Sequence, residues 1–292
     1  MTASTINDTS SPSAPVTYQR SELGGNNSFF GVIRSELIKM RSLKSSWILM
    51  VTALVVYVGI AALSAWAMGA FMGDVVAAAE SGAVPAEASG PSVFNFMASS
   101  GWQLAVLLLC SLAIINISAE YVTGAARTTF AATPRRWPVF WAKALVVAVV
   151  SFVISLAGML LAALAVEPIA KNYGFSQDFN SEMFQKQIWW VPVVVMVICL
   201  MSFGVAAIIR NAVGPIMLVV TVIFVLPTIL SVFQNDIMQN ILNWLPTSLA
   251  TVLMGQSMGL IDVEFWPAFF ALLAWGLVPL IVGAVLTQKR DI

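Results

Sequence analysis

From about residue 47 onward, long apolar runs alternate with short polar ones. Six runs are long enough to cross about 30 Å of hydrocarbon at about 1.5 Å per helical residue. They cover residues 47–71, 97–118, 138–166, 189–209, 212–232 and 265–287, and each predicts a transmembrane helix. The stretch 241–261, ILNWLPTSLATVLMGQSMGLI, is nearly apolar enough for a seventh, but it carries Asn243, Pro246, Thr247, Ser248 and Gln256. It reads as a re-entrant or interfacial pair of short helices on the outer side. Trp244 and Pro246 mark a bend at headgroup level, where tryptophan is favoured.

Before the first run the pattern changes twice. Residues 1–28 are rich in Ser, Thr, Pro, Gly and Asn without an apolar period, which predicts a disordered cytoplasmic tail. It does not read as a cleaved leader, because the first apolar run starts late and is too long. Residues 29–46, FFGVIRSELIKMRSLKSS, place Phe29, Phe30, Ile33, Leu37 and Met40 on one side of a helical projection. Arg34, Lys39, Arg41 and Lys44 occupy much of the rest. An amphipathic helix in the headgroup region, or simply a basic flank of the first span, fits this pattern.

Composition fixes the class. The chain has 292 residues, 59% hydrophobic and only 10% charged, where a soluble domain carries about a quarter charged. Mean hydropathy is +0.89. These values define an all-α polytopic membrane protein whose single domain covers 29–292. Net charge is zero, so nucleic acid is not an expected partner. The position of the cations says more than their sum. Twelve of the 14 Lys and Arg fall on one side of a six-span topology, leaving Lys171 and Lys186 opposite. Nine of the 14 acids show the reverse bias: Asp74, Glu80, Glu87, Glu167, Asp178, Glu182, Asp236, Asp262 and Glu264. Both termini are therefore expected in the cytoplasm, with the protein multi-pass in the cell membrane.

The spans hold little chemistry. Lys143, near the start of the third, is the ionisable exception and is expected to snorkel to the interface. No Asp/Glu relay suggests proton coupling. Gln103, Ser111 and Asn116 in the second span, with Ser151 and Ser155 in the third, either line a pathway or bond between helices. Ala61, Ala65 and Gly69 form a ridge of small residues on the first span, which suits close approach of another helix, in this chain or in a second protomer. Pro215 reads as a helix-start proline, Pro227 and Pro279 as kinks. The chain has no His, and Cys110 and Cys199 lie inside apolar runs as small hydrophobes. No GxxxxGK[ST], GxSxG or HExxH pattern occurs, so the residues point to no catalytic or metal site and no cofactor bound by this chain.

The most informative polar stretch is 119–137, AEYVTGAARTTFAATPRRW, between the second and third runs. As a helix from Glu120, it puts Gly124 one turn on and Arg127 nearly above the starting face. Ala125, Ala126, Ala131 and Ala132 keep it slim, and Thr133-Pro134 ends it. A short helix of small residues, joined rigidly to two spans, suits insertion into another protein's groove. An ordinary loop obeying membrane charge rules has the same composition.

These residues resemble a family. Glu120-Tyr121-x-x-Gly124-x-x-Arg127, then Thr133-Pro134, Arg135-Arg136 and Lys143, are similar to the cytoplasmic coupling element of ABC type-2 transporter permeases. Supporting features are the entry helix with Arg34, Glu36, Lys39 and Arg41, the Leu245-Pro246 pair and the terminal Lys289-Arg290-Asp291. Ala125-Ala126 departs from the bulkier pair that relatives often carry. The resemblance implies the membrane subunit of an ATP-driven exporter. Glu120, Tyr121, Gly124, Arg127, Thr133 and Pro134 would meet a separate P-loop ATP-binding subunit, which holds the ATP and Mg. It also implies a homodimer or heterodimer of permeases, with the first span and its Ala61/Ala65/Gly69 ridge, and usually the fifth span, at the interface. Two other readings are a stand-alone scaffold or sensor docking a cytoplasmic protein, and an ion-coupled secondary transporter.

Overall fold

The computed structural model describes residues 29–80, 91–122, 136–233, 235–257 and 261–289; for 75–80, 91–93, 120–122 and 136 it describes the backbone alone. Described residues form helices without strands. These are α1 (Phe29–Ser42), α2 (Lys44–Glu80), a 3-10 segment (Pro91–Ser99), α3 (Trp102–Val122), α4 (Arg136–Asn172) and α5 (Glu182–Ile209). Next come α6 (Val213–Val232), α7 (Asp236–Asn243), α8 (Pro246–Leu253) and α9 (Phe265–Lys289). Six helical stretches are long and apolar enough to cross a membrane: those of α2, α3 with the end of the 3-10 segment, α4, α5, α6 and α9. Each coincides with one of the six apolar runs.

Local chemistry explains several boundaries. Ser181 caps α5 by accepting the Phe184 amide at 3.3 Å, with Glu182 in the first turn. Arg210 ends α5 in the left-handed region, at φ 59°, with its amide on Ala206 O. Asn211 then accepts the Gly214 amide at 2.8 Å and starts α6. Pro227 cannot donate to the carbonyl four residues back, and a π turn (Thr221–Val225) lies immediately before it, with Leu226 N–H on Thr221 O. Asn235 caps α7 through the Ile237 amide, and Pro246 opens α8 after a bend at Trp244 and Leu245.

Apolarity marks a lipid boundary and not a helix end. For that reason α2 and α4 run past their apolar runs to 37 residues each, about 55 Å at the usual helical rise. The extension of α4 is stitched by Lys171 on Glu167 at 3.1 Å, one turn apart.

The bundle is built around α5, with 72% of its apolar window enclosed against 22% for α6. α3 runs parallel to it, and three matched contacts fix the register. Asn95 Nδ2 donates to Ser181 Oγ at 3.2 Å near one end, and Ser118 Oγ donates to Asn211 O at 3.0 Å near the other. Between them Cys110 Sγ and Cys199 Sγ lie 4.0 Å apart, both thiols free and buried. α9 packs against α5 through glycines. A Cβ on Gly204 would sit 2.5 Å from the Leu280 nitrogen, and one on Gly283 would sit 2.8 Å from Gly204 O. Exposed tryptophans lie toward both ends, Trp47 and Trp137 near α1 and Trp189 and Trp266 opposite, as membrane interfaces favour.

Two sequence expectations change here. The Ala61/Ala65/Gly69 ridge is not an exposed dimer face. Ala61 and Ala65 are fully buried within the chain, and a Cβ on Gly69 would fall 2.2 Å from the Tyr173 ring. Small residues allow close approach, and here the chain's own helices make it. The outward face of α2 carries Val51, Val55, Leu63, Trp66 and Phe71 instead. α1 also turns differently from its projected apolar face. Ile33, Glu36 and Met40 point into the bundle, while Phe30, at 79% exposure, and Leu37 stay open.

Candidate functional site

The segment singled out in the sequence begins as helix. α3 continues without a break past the end of its apolar run and carries the backbone of Glu120 and Tyr121 in its last turn. Gly124, Arg127, Thr133 and Pro134 lie outside the described residues, as does the tail 1–28. α4 then opens at Arg136.

α1 and the start of α4 share a buried ion pair. The Glu36 carboxylate, its side chain 3% exposed, accepts from Lys39 Nζ at 2.8 Å through Oε1 and from Lys143 Nζ through Oε2. The Lys143 side chain is 5% exposed, so it does not snorkel as expected. It points inward because α1 supplies a carboxylate at that depth and covers it. Charges removed from water are costly unless paired and hydrogen-bonded, and this geometry provides both. A signal was available in the sequence. Glu36 is the one acid in α1, among three cations, and Lys143 the one cation well inside an apolar run.

Of the polar residues marked inside the spans, Ser111 lines a small apolar groove between α3 and α6, with Leu107, Cys110, Ile114, Ile216, Val219 and Val220. Its hydroxyl is satisfied by Leu107 O at 2.9 Å. The other four are not in that wall. Gln103 is half-buried at the start of α3. Asn116 is half-buried, with Oδ1 enclosed and lacking a hydrogen-bond partner. Ser151 bonds back to Val147 O at 2.8 Å and faces Cys199. Ser155 is buried with its hydroxyl unpartnered. Back-bonding to the preceding turn is how serine commonly hides its hydroxyl in an apolar helix.

Polar residues outside these five are also enclosed. Gln187 in α5 is fully buried with both amide atoms unpartnered. Gln256, just past α8, donates to the buried Ser99 hydroxyl at 2.6 Å. The Tyr57 hydroxyl donates to Met159 Sδ at 3.6 Å, its ring lying against Gly158. Among the described residues no group of three or more His, Cys, Asp or Glu side chains is placed to hold a metal.

Six apolar helices, α5 among them, with tryptophan toward both ends, fit a multi-pass membrane protein. No protein-family model matches this chain, and no curated protein does.

Proposed function

We propose that this chain is the membrane subunit of an ATP-driven ABC exporter of the type-2 permease kind. In this reading it sits in the cell membrane with both termini cytoplasmic. α1 lies at the cytoplasmic headgroups, residues 119–137 form the coupling helix, and α7 and α8 dip back on the outer side. Hydrolysis belongs to a separate P-loop subunit. Two permeases, identical or related, complete the pathway.

The observation that carries the proposal is the continuation of α3 through Glu120 and Tyr121 into a polar segment of small residues that α4 closes. A helix that continues past its apolar run can carry a push into its span, whereas a slack loop cannot. The charge split supports the orientation, with 12 of the 14 cations on the α1 side.

The test is whether the purified protein brings down a P-loop ATPase and raises its turnover. Glu120→Ala and Gly124→Trp are expected to insert normally and to separate ATP hydrolysis from export. Full export by both variants at normal protein levels would refute the proposal. A scaffold would bind its partner without raising turnover, and an ion-coupled carrier would transport without any ATPase.

A further inference from the structure

Buried ion pairs are weak stabilisers, because the cost of desolvating two charges offsets most of their attraction, and well-packed apolar residues commonly do as well. Their frequent use is to fix one arrangement among several. α1 is such a case. It is separated from α2 by a single non-helical residue, Leu43, yet it packs chiefly against α4. Its buried stripe is short, Ile33, Glu36 and Met40, and the middle member is the carboxylate that meets Lys143. Lys39, on the open side, takes the other oxygen.

We propose that Glu36 and Lys143 are a latch that docks α1 on the first turns of α4, making α1 a strap between α4 and α2. A displacement of the start of α4 is carried through the latch into α1 and across Leu43 into α2. In the exporter reading the displacement comes from the ATPase; the latch stands whether or not that partner exists. Glu36 and Lys143 are then positioning residues. Neither needs to touch cargo or nucleotide.

The experiment uses the full chain without nucleotide, with Cys110 and Cys199 replaced by alanine. Two reporters are read separately by the rate of modification with a water-soluble maleimide. Met40→Cys sits in the docked face of α1, and Ala162→Cys lies in the α4 core. Glu36→Gln and Lys143→Met are each expected to speed labelling at position 40 by about tenfold or more, since breaking a buried pair strands a charge. Position 162 should stay protected. The exchanged pair, Glu36→Lys with Lys143→Glu, should return position 40 to its starting rate. Unchanged labelling at position 40 in both single variants would overturn the latch. So would loss of protection at both positions, which would make the pair a support of the whole bundle, or an exchanged pair that fails to restore protection.

Discussion

Gly204 and Gly59 both lie inside apolar helices, yet a methyl group would meet very different surroundings at each. At Gly204 it would press within 2.5 Å of the Pro279 carbon and the Leu280 nitrogen, backbone atoms that cannot swing aside. At Gly59 it would meet nothing within 4 Å. Gly204→Ala is therefore expected to destabilise by about 1–3 kcal/mol, read as a lower midpoint of thermal unfolding in detergent. Gly59→Ala should leave the midpoint unchanged or slightly higher, because alanine is the better helix former. Composition marked small residues as contact points, and at Ala61, Ala65 and Gly69 a contact is present. Which helix fills it was not legible, because a glycine is equally smooth to its own chain and to another. The inward turn of Lys143 was hidden for a related reason. Its partner is 107 residues away, and apolar periodicity gives a carboxylate no place in a buried stripe.

The short elements divide between local and distant causes. The bend at Trp244 and Leu245 follows from Pro246 and was visible, as was the helical character of α1. The depth of α8 was not. Pro246, Thr247, Ser248, Leu249, Ala250 and Leu253 are all buried, whereas α7 buries no residue. Part of what holds α8 is Gln256 on Ser99, a contact across 157 residues that no local pattern encodes. Gln256→Leu leaves that serine without its donor, at a cost of about 1–2 kcal/mol. Faster amide hydrogen exchange in α8 and in the 3-10 segment is the expected result, with α5 unaffected. Equal exchange in the variant and the parent protein would mean that packing alone seats α8.

At the scale of the molecule, the six spans were readable because lipid imposes one rule on every residue of a crossing, so a sum over twenty positions is robust. The arrangement of the spans was not readable. α5 is no more apolar than its neighbours in a way that announces a central place, yet α3, α4 and α9 all pack on it. Of the candidate coupling element, α3 carries Glu120 and Tyr121, and Gly124, Arg127, Thr133 and Pro134 lie outside the described residues. The outer wall suggests where a second copy would join in the exporter reading. α6 is the least enclosed span, with Met217 and Val225 among its exposed residues. In a background lacking native cysteines, Met217→Cys is expected to cross-link between copies in membranes, whereas Ala61→Cys, buried in its own chain, should not. Cross-linking at position 61 with none at 217 would place the seam on α2.

The length of α2 and α4 has one more outcome. Both are longer than the hydrocarbon of a bilayer, and Tyr173, just past the end of α4, seats on Gly69 near the end of the apolar run of α2. On the side away from α1 both helices extend beyond their apolar runs, over residues 72–80 and 167–172. In the exporter reading, a solute leaving the bundle there would emerge beside a protein rim and not among headgroups, so the protein rather than the bilayer would set where it is shed.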